Sequence, residues 1–331
     1  MARTVETRLG VELTNLDQEL FDGAGASKRD LVDHLEAVAD RMLPELAGRP
    51  LSVVRARLGQ APFMQKNLPK HAPDWIPTVT HWAQASQREV HYPLADEPRT
   101  LVWFANQRAV EYHPTLVAWE PGSTEEPRAE RLVMDLDPPE GAGFAAVVAA
   151  ARLVQQALAD LGLVGAVKTS GAKGLHIVVP LEPVPIEDAA AATRALGARA
   201  ERIDPAAATT AYIKEDREGK VYLDSTRAGG ATLVAVYSPR ARPGVPVSFP
   251  VAWDDLDAVD PRDITVRNAA ALLGDGDPWA AALPAPQALP EPQPLPADLV
   301  AEGHTIPIAR VAAMHEGKRR KRARAAEAPE S

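Results

Sequence analysis

The segment Arg131-Leu132-Val133-Met134-Asp135-Leu136-Asp137-Pro138-Pro139 constrains the fold more than any other. Its apolar lead-in reads as a buried strand, two carboxylates follow two residues apart, and the prolines end the run. Strand side chains repeat with period two, so Asp135 and Asp137 point to one face. Like charges that close repel, and a divalent cation between them relieves the repulsion. A metal site is one reading of these nine residues. Two solvated aspartates opening a turn is the other.

The following residues supply a sheet for that strand. Phe144, Val147, Val148, Ala151, Val154, Leu158 and Leu161 mark an amphipathic helix ending at Gly162. Val164 to Thr169 then reads as a second strand. Strand, helix and strand predict a crossover unit whose ligand-facing edge is where the carboxylates emerge. The second strand runs into Lys168-Thr169-Ser170-Gly171-Ala172-Lys173-Gly174-Leu175-His176 and resumes as Ile177-Val178-Val179. Two glycines bracketing Ala172-Lys173 allow a tight turn in which amides, the Ser170 hydroxyl, a lysine and a histidine converge, as a triphosphate requires. The spacing is not that of a Walker loop, and a glycine-rich hairpin with a surface lysine is the plainer alternative.

A helix is predicted from Glu187 to about Ile203, and a strand from Lys220 that ends in Asp224. Asp135, Asp137 and Asp224 form the kind of trio that holds two divalent ions. Leu233 to Tyr237 reads as a further strand. Beyond it, Arg240 and Arg242 suit forked phosphate contacts or, alternatively, a surface loop.

In the first third of the chain, Ser27 and Asp30 resemble a capping box ahead of Leu31, Leu35, Val38 and Met42, a helix predicted to stop at Pro44. Pro50 to Arg55 reads as a strand. Phe63-Met64-Gln65-Lys66 leads to His71, Trp75, His81 and Trp82, aromatic and basic residues whose interleaving on loops suits stacking on bases; a core edge is the alternative. Thr100 to Phe104 is read as a strand and Ala105 to His113 as a short helix.

Composition narrows the class. Across 331 residues, 46% hydrophobic and 24% charged residues describe a globular protein, and the absence of cysteine removes disulfides and thiolate metal sites. With no signal-like apolar run and no stretch of membrane-spanning length, a cytoplasmic location without membrane contact is expected. The net charge is −9, yet Lys318, Arg319, Arg320, Lys321, Arg322 and Arg324 face only Glu327 and Glu330 in the last fourteen residues. An acidic body argues against nonspecific coating of nucleic acid, though not against gripping a strand end through a few local bases. Residues 283–296 contain six prolines and read as a stiff linker before a basic, disordered tail.

Asp-x-Asp, Ser-Gly-x-Lys-Gly-x-His and a later strand-end aspartate, in that order, resemble the three-motif signature of the archaeo-eukaryotic primase superfamily. More closely, residues from about 9 to 273 resemble the polymerase domain of bacterial ATP-dependent DNA ligase D. Gly48-Arg49-Pro50-Leu51, Phe63-Met64-Gln65-Lys66, Ala72-Pro73-Asp74-Trp75, Glu111-Tyr112-His113-Pro114 and Tyr237-Ser238-Pro239-Arg240 extend the likeness. The resemblance implies an α+β (mixed α/β) primase-polymerase fold with a central mixed sheet, an RRM-like catalytic part and flanking helices. The catalytic domain would span 1–275, its N-terminal α/β part about 1–115 and its catalytic part about 116–275, followed by a linker and tail at 276–331.

It also implies template-directed nucleotide addition, with ribonucleotides preferred, to primer ends at DNA gaps or breaks during repair. Asp135, Asp137 and Asp224 would be catalytic and hold two ions, manganese favoured over magnesium. Ser170, Lys173, His113 and Arg240 would bind the triphosphate of an NTP or dNTP, with His176 against the nucleotide. Phe63 would stack on a base and Lys66 serve the nucleotide or template pocket. Lys28 and Arg29 fall where the family holds the 5′ phosphate beyond a gap, and Arg217 near a primer terminus. A Ku-like end binder and a separate ligase are implied partners. Two departures stand out. Where the family usually has an aromatic residue and then an asparagine after the third aspartate, this chain has Ser225-Thr226-Arg227-Ala228-Gly229-Gly230. Neither a ligase motif nor a phosphoesterase segment occurs, so a stand-alone polymerase is expected, with a noncatalytic DNA-end or gap binder as the alternative.

Overall fold

The structure, a computed structural model, describes residues 6–83, 88–119, 126–227, 231–289, 298–308 and 316. Its first half contains β1 (Glu6–Arg8), β2 (Val11–Leu13), α1 (Lys28–Leu46), β3 (Leu51–Arg57), β4 (Gln60–Gln65), β5 (Thr78–Ala83), β6 (Arg88–Pro93), α2 (Pro98–Asn106) and β7 (Ala109–Pro114). The second half holds β8 (Ala129–Asp137), α3 (Phe144–Ala159), β9 (Ala166–Thr169), β10 (Leu175–Val184), α4 (Ile186–Ile203), β11 (Ala208–Thr209), β12 (Val221–Asp224) and β13 (Pro250–Val251). Short helices α5 (Ala269–Leu273), α6 (Pro278–Ala282) and α7 (Leu299–Thr305) follow.

Helix α1 begins as its sequence dictates. The Ser27 hydroxyl accepts from the Asp30 amide at 3.2 Å, and the Asp30 carboxylate accepts from the Ser27 amide at 2.7 Å. The helix passes through Pro44 instead of stopping there. A proline in the final turn removes one hydrogen bond, and fully buried Leu46 holds that turn against the core. Two readings are exchanged: 98–106 is helical and 109–114 is a strand. The short apolar run at 100–104 fits either state, and Pro98 at the first helical position tips it to a helix.

Strands β11-β12-β8-β10-β9-β13 form the mixed central sheet, in which only the β11–β12 pair is parallel. The crossover unit is present in split form: α3 connects β8 to β9, and β10 lies between them, antiparallel to both. Period-two alternation then sorts the sheet. Leu132, Met134, Leu136, Val167, Ile177 and Val179 join the core beneath α3 and α4, whereas Val133, Ala166 and Val178 face the core of the first half. Asp135 shares the second face, so it opens between the two halves.

The halves are not consecutive in sequence. Leu233, Ala235, Val236, Phe249 and Trp279 return to the first core. The stretch from Leu233 to Tyr237 runs beside β7 through the amides of Leu233 and Ala235, without forming a regular strand. The chain also stays on the body beyond residue 275. Trp279 is buried, Gln287 bridges to Leu181 on β10, and α7 lies on α4, where Arg199 and Arg202 meet Glu302. Residues 290–297 and the basic cluster Lys318 to Arg324 lie outside the described residues, as do Ala228, Gly229 and Gly230.

Candidate active site

Strand pairing places the key side chains in one row. Lys168 on β9 is opposite His176 on β10, His176 opposite Asp135 on β8, and Asp135 opposite Asp224 on β12. Asp137 is two residues further along the same face. Asp135 and Asp224 are buried, while Asp137 is at the surface end of its strand. His176 Nε2 is 3.3 Å from Asp135 Oδ1. The Thr226 amide and hydroxyl both donate to Asp224 Oδ1, at 2.9 and 2.5 Å.

A residue that sequence reasoning did not assign a role closes this cluster. Arg227 lies 3.2 Å from Asp135 Oδ2 and 3.2 Å from Asp224 Oδ2. Burial would raise the Asp135 carboxyl, but His176 and then Arg227 outweigh it and hold it down. Burial, together with the charges of Asp135 and Asp224, pushes the Asp137 carboxyl up. Among the described residues no group of three His, Cys, Asp or Glu side chains is drawn together tightly enough to form a metal cluster. The donor set nonetheless fits a hard divalent cation: carboxylate oxygens from adjacent strands already converge on a positive charge, here supplied by Arg227.

The Ser170–His176 segment is a tight hairpin between β9 and β10. The Ser170 hydroxyl accepts from the amides of Ala172 at 3.3 Å and Gly174 at 3.1 Å, and the Ser170 carbonyl receives Arg240 at 2.5 Å. Both glycines are required. Gly171 has φ +66°, and a Cβ there would sit 2.7 Å from Arg240 Cγ; at Gly174 it would sit 2.2 Å from the Leu136 carbonyl oxygen. Lys173 projects into solvent.

Arg240 is tied to a second pair that the first half supplies. Glu111 on β7 accepts from His113 Nε2 at 2.8 Å and pairs with Arg240 Nε at 3.1 Å, while its other oxygen accepts from the Ala241 amide. Burial would raise Glu111, but His113 and Arg240 prevail and hold it at about 2. The carboxylate thus fixes an imidazole and a guanidinium beside the loop.

Other expected residues occupy separate places. Phe63 and Lys66 are exposed, Phe63 on edge strand β4 with Arg55 5.8 Å above its ring, and not on a loop. Arg217 stacks 3.6 Å over Tyr222, the residue opposite Asp137, and donates to the carbonyls of Ala211 and Tyr212 at the rim of the carboxylates. Lys28 and Arg29 diverge. Arg29 pairs with Glu6 and Asp17 at the surface, whereas the buried Lys28 ammonium donates to the Thr14 carbonyl and Asn106 Oδ1.

Lys28 floors a cavity of about 340 Å³ lined also by Arg55, Arg57 and Arg108, with no carboxylate in its wall. Burial, and then the charge of Arg57, push Arg55 and Arg108 down. Reading along the sequence could not join these four, which come from one helix, one strand and a turn.

A central mixed sheet with strand-end carboxylates, beside a tight glycine-bracketed hairpin, defines a primase-polymerase class of protein. The comparisons narrow the class. The family model for the LigD primase-polymerase domain matches residues 27–279. The multifunctional end-joining DNA repair protein LigD of Mycobacterium tuberculosis is 38% identical over 280 residues, covering 81% of this chain and 36% of that protein. The LigD of Pseudomonas aeruginosa is 32% identical over 285 residues, covering 82% and 32%. The solved polymerase domain of M. tuberculosis ligase D in complex with DNA superposes with a TM-score of 0.74 at 37% identity, covering 83% of this chain and 99% of that one. The chain belongs to the LigD primase-polymerase domain family. It spans about a third of the length of these curated relatives.

Proposed function

We propose that this chain is a nucleotidyltransferase that extends primer ends on a DNA template at gaps or breaks during end-joining repair. The observation that carries the reading is the in-register row of His176, Asp135 and Asp224, flanked by the Ser170 loop and Arg240. In this account Asp135, Asp137 and Asp224 hold two divalent cations, manganese ahead of magnesium. Cations held by these three carboxylates would supply Lewis-acid stabilisation of a primer 3′ hydroxylate and of pyrophosphate charge.

The chain's own groups do the positioning, which provides much of the catalysis in phosphoryl transfer. Ser170 retains a hydroxyl hydrogen to donate after accepting two amides, and Lys173 is free to swing onto a phosphate. His113 and Arg240, held by Glu111, present an imidazole and a guanidinium to the triphosphate, with His176 toward the nucleotide. Phe63 offers an exposed ring for a base, Lys66 a charge beside it, and Arg217 a guanidinium at the primer side. The basic cavity over Lys28 takes the 5′ phosphate beyond a gap, with Arg29 outside it. Ribonucleotide preference, a cytoplasmic site of action, and work beside a Ku-like end binder and a separate ligase complete the proposal. No helix among the described residues is long and apolar enough to cross a membrane.

Arg227 between two carboxylates favours a second reading, a DNA-end binder whose cation site is filled by the protein itself. Titration with a ribonucleoside triphosphate separates the two. Binding that requires manganese and disappears in Asp135→Asn/Asp137→Asn supports the transferase; nucleotide binding that is absent or indifferent to metal contradicts it.

A further inference from the structure

Lys168 is a buried ammonium that the nucleotidyl-transfer account above does not use. It is 2% exposed and sits inside the apolar strand β9, with no carboxylate at ion-pair distance among the described residues. Burial, reinforced by Arg240, pushes it down to about 7, so its place in the sheet is an energetic cost. Its three contacts explain why it is there. Nζ lies 2.8 Å from His176 Nδ1, 3.0 Å from the Val234 carbonyl and 2.7 Å from the Ser248 hydroxyl.

With Lys168 protonated, those contacts set the proton inventory. The Val234 carbonyl can only accept. The Ser248 hydroxyl spends its single hydrogen on the Thr169 carbonyl at 2.7 Å, so towards Lys168 it too accepts. Two ammonium hydrogens are therefore committed, and the third points at His176 Nδ1. A ring that accepts at Nδ1 carries its hydrogen on Nε2, the atom 3.3 Å from Asp135 Oδ1. In the opposite tautomer a bare Nε2 lone pair would face a carboxylate, two acceptors without a hydrogen between them.

We propose that Lys168 is a positioning residue: by donating to Nδ1 it fixes His176 as the Nε2–H tautomer, which grips Oδ1 of Asp135 and leaves Oδ2 as the oxygen offered to a cation. The relay moves no proton. It orients a carboxylate through an imidazole, as outer partners orient metal-bound groups elsewhere. The cation half of this inference rests on the proposed metal site; the tautomer half does not.

Two measurements test the halves separately. In metal-free protein labelled with [15N]histidine, long-range 15N–1H correlation should show His176 protonated on Nε2 and hydrogen-bonded at Nδ1. A His176 protonated on Nδ1 overturns the inference, whether or not the chain is a polymerase. Manganese titration then compares wild type with Lys168→Met, whose fold is checked by thermal melting. Loss of an outer partner of this kind predicts manganese affinity lower by roughly 10–100-fold.

The chain has no cysteine, so Lys168→Cys alkylated to aminoethylcysteine in the unfolded state and refolded restores an ammonium at one position only. It should recover the affinity. Unchanged affinity in Lys168→Met, or no recovery after alkylation, overturns the positioning role. Should Lys168→Met not fold, the wild-type tautomer decides. Wild-type protein that binds no manganese while His176 is Nε2–H refutes the metal site and leaves the tautomer claim standing.

Discussion

Arg227 stands 3.2 Å from Oδ2 of Asp135, the oxygen of that carboxylate not engaged by His176, and spans to Asp224 at the same distance. A guanidinium there does for the metal-free protein what a divalent ion would do for the loaded one. It neutralises carboxylates that two adjacent strands force together.

Arg227→Gln should therefore bind manganese more tightly, because the competing cation is gone. A partly buried charge contact of this sort is worth on the order of 1–2 kcal/mol, so the gain should be about tenfold. Without metal the variant should melt below wild type, and manganese should close the gap. Calorimetric titration and melting curves check both; weaker manganese binding would show that Arg227 assists the ion instead of replacing it.

Gly174→Ala addresses the Ser170–His176 hairpin. The added methyl would lie 2.2 Å from the Leu136 carbonyl oxygen, between the two aspartates of β8, and backbone cannot yield there cheaply. A loss of about 2–3 kcal/mol is expected from such overpacking, with nucleotide binding reduced in whatever remains folded. Gly143→Ala, where nothing lies within 4 Å, is the control and should be near neutral. Equal melting of the two variants would refute the close-approach argument.

Acid should find His34. This fully buried ring donates from Nε2 to the Tyr237 carbonyl at 2.8 Å, and Tyr237, at φ +64°, leads into Ser238-Pro239-Arg240. Burial depresses His34 to about 4 against a weaker opposing effect of that hydrogen bond. An unfolded histidine titrates near 6.5, so this contribution is complete above about pH 6.5 and is lost as pH falls toward 4, on the order of 3 kcal/mol in all. Urea melts across that window should be steeper in pH for wild type than for His34→Gln. Identical slopes would contradict the assignment.

The legible parts of the site were those written in consecutive residues. Asp135-x-Asp137, the Ser170–His176 run and Asp224 carry strand periodicity and glycine punctuation on their face, and the register then brings them into one row. Contributions made across the fold were not legible. Arg227 sits in a turn whose only local cue is its three-residue spacing from Asp224. Lys168 offered one cue that went unused, a charge inside an apolar strand. The exchange at 98–114 has a different cause: the short run at 100–104 has no period to read and Pro98 starts a helix there, while pairing with β3 makes 109–114 a strand. Past residue 283, proline density suggested a linker. Gln287 nevertheless bonds with the backbone of Pro180 and Glu182, and Gly303 lets α7 approach the backbone of α4 at Ala191.

The most direct test is primer extension. Incubated with a gapped DNA bearing a 5′ phosphate, manganese and ribonucleoside triphosphates, the wild-type chain should add template-directed nucleotides, and Asp135→Ala/Asp137→Ala should add none above background. Extension by the double variant at the wild-type rate, or none by either protein while the wild type binds the DNA, would contradict the account.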